Sequence, residues 1–169
     1  IKAGINDPKH HAAIDAKNEL DLALVDAALR ARGTAVYYPF LERREARRFT
    51  GFRRSWSRAE LHARGQRFAE PPATAPVALA GELDVIVIPA LGVAPDGHRL
   101  GYGAGWYDVT LPEFRPPAVA VAVVFDFQLL GELPSEAHDV AVDWVVTDRR
   151  CLDPRSPGEV RGVTPSSLP

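Results

Sequence analysis

The chain has a single cysteine, Cys151. One thiol closes no internal disulfide and builds no cysteine-based metal cluster, so a reducing compartment, the cytoplasm, is expected. There is no run of 18 apolar residues, so no transmembrane helix is predicted. No signal-peptide pattern opens the sequence, which starts at Ile1. Net charge is almost absent too: −2 over 169 residues gives no electrostatic case for nucleic acid. No internal repeat or low-complexity tract is evident. These absences predict a globular protein with neither a membrane nor a nucleic-acid partner, of a length that suits one domain.

What charge there is lies unevenly. Residues 42–67 hold nine arginines against three glutamates, leaving that segment at +6 and the remainder at −8. Two readings stand: a solvated arginine-rich surface, or a face for an anionic ligand.

The apolar pattern predicts the framework. "NELDLALVDAALRAR" (18–32) repeats its apolar residues at helical period, and Gly33 suits a C-cap. "TAVYYPFL" reads as a strand that Pro39 should end. "SRAELHARGQRF" reads as a short helix with Ser57 as N-cap, and residues 71–76, "PPATAP", as a loop. Three apolar runs follow, at 83–91, 118–127 and 139–148, in the pattern of buried strands. A helix and successive strands with intervening segments predict an α/β domain over residues 1–152 with a largely parallel sheet. Residues 153–169, rich in Pro, Gly and Ser, are expected to form an irregular tail.

The densest stretch, "RLGYGAGWYD" (99–108), falls just after the first of these strands. Ligands of such sheets bind outside the carboxyl ends of the strands. Gly101, Gly103 and Gly105 permit positive φ and close backbone approach, which can aim successive N–H groups at an anion. Arg99 adds a fork of donors matched to phosphate oxygens. Asp108 is a carboxylate of the kind that holds magnesium beside phosphate, or a cap for the helix that follows. Trp106 and Tyr107 offer flat faces to a heteroaromatic ring. Neither the dinucleotide fingerprint nor a Walker A motif fits this spacing. A phosphate loop and a glycine-rich turn with aromatics in the core both remain open. Ser55 and Ser57 lack a nearby base pattern, so nucleophilic serine chemistry has little support. His138 and Asp139, adjacent in a strand-like run, read as a structural turn.

With its flanks, the stretch resembles the 5-formyltetrahydrofolate cyclo-ligase family, whose pattern runs P-G-x-A-F-D-x-x-G-x-R-L-G-x-G-x-G-Y-Y-D. The chain has "VIVIPALGVAPDGHRLGYGAGWYD" over 85–108. "NELDLALVDAALRARGTAVYYP", "RFAEPP" and "FDFQLLGELPSEAHDVAVDWVVTD" follow the family's other segments in order, so the resemblance spans about residues 10–150. It implies a single three-layer α/β/α domain and a cytoplasmic monomer or weak oligomer that uses ATP and Mg2+. ATP would phosphorylate the formyl oxygen of 5-formyltetrahydrofolate. N10 would then attack the activated carbon, and phosphate would leave to give 5,10-methenyltetrahydrofolate. By the same resemblance, Arg99, Leu100, Gly101, Tyr102, Gly103, Ala104, Gly105, Trp106 and Tyr107 line ATP, and Arg99 and Tyr107 are catalytic. Asp108 and Asp143 match magnesium carboxylates. Glu19, Phe68, Trp106 and Tyr107 match residues beside the folate. The local charge of 42–67 further predicts a preference for polyglutamylated folate.

The sequence also departs from the family. No counterpart of its opening basic helix is placed here. Trp106 replaces a tyrosine, Ala104 lacks a side-chain donor, and Pro95 stands where phenylalanine is usual. These departures carry an alternative expectation: a non-catalytic or altered-specificity paralogue that binds folate or nucleotide.

Overall fold

A computed structural model describes residues 22–45, 47–63, 69–101, 103, 105–156 and 160–162. They divide into two compact units, Leu22–Leu83 and the residues from Asp84 onward. The described part of the arginine-rich stretch pairs with the strand before it, within residues 22–83.

The first unit opens with α1 (Ala23–Ala31), inside the predicted helix, whose residues 18–21 lie outside the described ones. Gly33, at φ +77°, ends it as predicted. Its N–H donates to Arg30 O at 2.9 Å and that of Thr34 to Leu29 O at 3.0 Å, which is the paired closure of a left-handed cap. Asp26 faces inward from α1. Arg30 Nε donates to both its oxygens, at 3.1 and 3.0 Å, and the Tyr38 hydroxyl donates at 3.0 Å. Burial raises the Asp26 pKa, but the hydrogen bonds from Arg30 and Tyr38 outweigh it and the net direction is downward. A lowered folded-state pKa stabilises above the ordinary carboxylate range, and that stability is lost as pH falls through the folded value. Urea midpoints of the wild type should therefore fall on acidification below about pH 4, and Asp26→Asn should flatten that limb.

β1 (Val36–Arg44) and β2 (Arg47–Ser55) form an antiparallel hairpin. Pro39 does not end β1, contrary to the sequence expectation. Phe52, opposite Pro39, turns its carbonyl away from β1 to accept from Ala78 N–H at 2.8 Å. The Pro39 nitrogen therefore also faces away from the ladder, where a missing N–H costs nothing. Leu41, two residues on, uses the same outward direction to donate to Glu70 Oε1 at 3.2 Å. At the hairpin tip Arg43 stands opposite Arg48, and Arg44 opposite Arg47. Instead of the predicted helix, Ser57 caps one 3-10 turn, Arg58–Glu60, accepting from Ala59 N–H at 3.2 Å. Two short strands, β3 (His62–Ala63) and β4 (Ala69–Glu70), pair antiparallel.

The second unit carries the sheet. In chain order it holds β5 (Val85–Pro89), β6 (Gly92–Val93), β7 (Arg99–Leu100), α2 (Trp106–Phe114), β8 (Val119–Val123), β9 (Trp144–Val146), β10 (Arg150–Leu152) and β11 (Val160–Gly162). The sheet order is β11-β10-β9-β8-β5. β5, β8 and β9 run parallel, and β10 and β11 extend the sheet antiparallel. The fold is thus mixed α/β with a mostly parallel central sheet. β11 lies within the expected irregular tail: Val160–Gly162 pairs along β10. Ile86, Ile88, Ala120, Ala122 and Val145 bury one face of the central strands. Gln128 ties the carboxyl ends of β5 and β8. Its Nε2 donates to Ala90 O and Leu91 O, both at 3.1 Å, and its Oε1 accepts from Phe125 N–H at 2.8 Å. No helix among the described residues is long and apolar enough to cross a membrane.

Candidate functional site

The site begins where β5 ends. β6 and β7 make a small antiparallel hairpin, and the chain then passes through the glycines into α2. Gly103 (φ +72°) and Gly105 (φ +60°) occupy the left-handed region, which a side chain would strain. A Cβ at Gly101, Gly103 or Gly105 would meet nothing within 4 Å, so the loop's outer surface is open. Gly105 is the N-cap of α2 and supplies no side-chain acceptor. A helix N-terminus without a capping side chain, approached by glycines at positive φ, is suited to an anion.

Beneath the loop lies an ion pair. Arg99 Nη2 donates to Asp108 Oδ1 at 2.8 Å, and Arg99 Nη1 donates to the Val140 carbonyl. The Asp108 Oδ1 also accepts from Val140 N–H at 3.1 Å. Its Oδ2 has no hydrogen bond among the described residues. The Arg99 side chain is 7% exposed and that of Asp108 19%. Asp108 therefore sits in the first turn of α2 without capping it, and faces Arg99 instead. The Arg99 guanidinium also lies 5.5 Å from the Tyr107 ring centre.

The aromatics divide. Trp106 is buried and meets Tyr107 edge-on, at 4.8 Å and 83° between planes. Tyr107 is half-buried. The flat face that the sequence offered to a ring is thus Tyr107's, while Trp106 fills core. Leu100 is exposed on β7.

Asp143 lies just before β9. Its Oδ1 accepts from Arg115 Nη2 and its Oδ2 from Ala120 N–H, both at 2.8 Å. The structure joins Arg99, Tyr107 and Asp108 directly, and ties Asp143 to Arg115. Glu19, Phe68, Tyr102 and Ala104 lie outside the described residues. His138 is exposed, 3.5 Å from Glu136 and 3.8 Å from Asp139, in keeping with a structural turn. Sequence reasoning missed Arg115 and Val140. An arginine after a helix and a valine in an apolar run carry no motif.

Among the described residues no group of three His, Cys, Asp or Glu could hold a metal by itself. Magnesium binds one or two carboxylates and completes its shell with water and phosphate oxygens. Asp108, with Oδ2 open, fits this role. Asp143 accepts one bond on each oxygen, from Arg115 and from the Ala120 amide.

A mostly parallel α/β sheet with a glycine loop and an uncapped helix N-terminus beyond a strand's carboxyl end defines an α/β protein whose loop is suited to an anion. The family profile of 5-formyltetrahydrofolate cyclo-ligases matches residues 12–148, and the chain belongs to that family. A 5-formyltetrahydrofolate cyclo-ligase of Mycolicibacterium smegmatis is 50% identical over 80 residues, 47% of this chain and 41% of the relative. One from Mus musculus is 40% identical over 72 residues, 39% of this chain and 34% of the relative. The matched stretches thus span about two fifths or less of these relatives. The solved structure of Aquifex aeolicus 5,10-methenyltetrahydrofolate synthetase superposes with a TM-score of 0.68 at 23% identity, covering 99% of this chain and 84% of that one. The Mycoplasma pneumoniae synthetase gives 0.59 at 20% identity, covering 79% and 68%. At such identities the structural likeness establishes the fold.

Proposed function

We propose that the chain is an enzyme that converts 5-formyltetrahydrofolate to 5,10-methenyltetrahydrofolate at the expense of ATP, with magnesium, in the cytoplasm. The observation that carries this reading is the loop itself: positive-φ glycines lead into a helix with no capping side chain, above the Arg99–Asp108 pair. Phosphoryl transfer needs positioning and charge neutralisation more than covalent help. Bound magnesium would offset phosphate charge, held through Asp108 Oδ2. The loop amides would receive ATP phosphate oxygens. Arg99 fixes Asp108 and adds positive charge beneath the loop, and Tyr107 borders the reacting groups. Glu19 and Phe68 are the proposed folate contacts. The net charge of +6 over residues 42–67 supports a preference for polyglutamylated folate.

The reaction balances with these parts. The formyl oxygen takes the γ-phosphoryl group and ADP leaves. N10 then attacks the formyl carbon, and inorganic phosphate departs with the formyl oxygen. A second reading, a paralogue that binds without turnover, draws on one observation: both Nη atoms of Arg99 are already engaged. Incubating the full chain with 5-formyltetrahydrofolate, ATP and Mg2+ separates the two. The near-ultraviolet absorbance of methenyltetrahydrofolate should rise with time and stop when EDTA is added. Nucleotide binding without that rise would leave the paralogue.

A further inference from the structure

Residues 125–130 form a rail between the sheet and the hairpin that carries Arg99. One end is anchored to the β9–β10 corner. There the Asp126 carboxylate accepts from Arg150 Nε and Nη2, both at 2.6 Å, and from the Thr147 hydroxyl at 3.1 Å. At the other end Leu130 N–H donates to Val93 O at 2.9 Å. Between these anchors the buried Gln128 side chain reaches the chain just before β6, where Nε2 holds the Ala90 and Leu91 carbonyls. The backbone approaches closely as well. A Cβ on Gly92 would lie 2.7 Å from Leu130 Cδ1 and 3.3 Å from Gln128 O, so β6 meets the rail at a residue without a side chain. Val93 turns its carbonyl to the rail and faces Arg99 across the hairpin, and Leu91 N–H donates to Leu100 O at 2.9 Å. The order is therefore rail, β6, β7, and the glycine loop leaves from the end of β7.

We propose that Gln128 is a positioning residue for the phosphate loop: by holding the Ala90 and Leu91 carbonyls it sets where the β6–β7 hairpin stands, and so where Arg99 and the glycines are presented. A hairpin with two residues in each strand has little stability of its own and takes its place from what it packs against. A carboxamide suits the task, because one group supplies two protons to the two carbonyls and an oxygen to the Phe125 N–H. Glutamate at 128 would keep the acceptor and set a second oxygen against two carbonyl oxygens. Methionine would fill the same space and pair with none of the three. Gln128 is assigned no contact with substrate and acts through β6 and Arg99. The inference rests on the phosphate-site reading above and deepens it.

The test is titration of the full chain with MgADP by calorimetry, which needs no turnover, with a thermal melt of each protein beside it. Gln128→Met should weaken MgADP about tenfold, the scale of leaving buried carbonyls without their donor. Gln128→Glu should weaken it by at least as much, about tenfold or more, since it adds repulsion to the lost donor. The control is Ile86→Val, which opens a small cavity under β5 and lowers the melting temperature without touching the rail. It should bind MgADP within about twofold of the wild type, because a site that shares no partner with the loop acts independently of it. Wild-type affinity in Gln128→Met, or in Gln128→Glu should the methionine variant not fold, overturns the proposal. A loss of affinity in Ile86→Val as large as that in the Gln128 variants also overturns it, since affinity would then follow stability alone. A wild-type chain that binds no MgADP overturns the phosphate-site reading, and the proposal with it.

Discussion

Arg99→Ala should lower kcat by about 10²- to 10³-fold, the scale of losing one preorganised charge at a phosphoryl-transfer site. It should also destabilise the protein by about 2–4 kcal/mol, somewhat under the cost of breaking a fully buried ion pair, since Asp108 is partly exposed. The two effects share one cause. Without Arg99, Asp108 Oδ1 keeps only the Val140 N–H, and the Val140 carbonyl loses its donor. Arg99→Lys restores a charge but cannot reach Asp108 and the Val140 carbonyl with two nitrogens. It should recover much of the stability and little of the turnover. Thermal midpoints and initial rates on the three proteins check this. A stable Arg99→Ala with wild-type kcat would remove Arg99 from the site.

Gly97→Ala should produce a loss of stability comparable to that of Arg99→Ala. Gly97 sits at φ +88°, and a Cβ there would lie 2.8 Å from the Val142 carbonyl oxygen and 3.2 Å from Pro154 Cβ and Cγ. The left-handed backbone alone costs an ordinary residue about 1–2 kcal/mol. The carbonyl cannot swing aside cheaply, because Val142 N–H is bonded to Gly97 O. The total should reach about 3 kcal/mol, a fall in Tm of about 6–12 °C for a chain of this size. Gly81→Ala is the internal control. It shares a positive φ of +84° but has nothing within 4 Å of its Cβ, so it should show the conformational cost alone, about 1 kcal/mol. Calorimetric melting of both variants gives the comparison. Equal losses would mean that the clash at Val142 is absorbed.

The legible parts of this fold are those that single residues dictate. The apolar runs became β5, β8 and β9, trimmed at their ends, because β-branched residues there have few alternatives to a sheet. Gly33 closes α1 as its position required. Pro39 misled because a proline's cost depends on which way its nitrogen points, and that is set by its register against Phe52 in β2. The arginine-rich hairpin was opaque because like charges facing each other at 43–48 and 44–47 oppose the pairing that forms. In the site, the glycines and their role at a helix start could be read from spacing. The Arg99–Asp108 pair could not, since it joins a strand to a helix across a turn. The Arg115–Asp143 pair, 28 residues apart, exists only once β8 and β9 lie side by side.

In the proposed reaction the loop from Arg99 to Asp108 presents ATP to the formyl oxygen of a folate. The most direct measurement supplies 5-formyltetrahydrofolate labelled with oxygen-18 in the formyl group, with ATP and Mg2+, to the full chain. Methenyltetrahydrofolate absorbance and the isotopic mass of the released phosphate are then followed together. One labelled phosphate should appear for each methenyltetrahydrofolate formed. Unlabelled phosphate alongside product, or no product at all with ample protein, would contradict it.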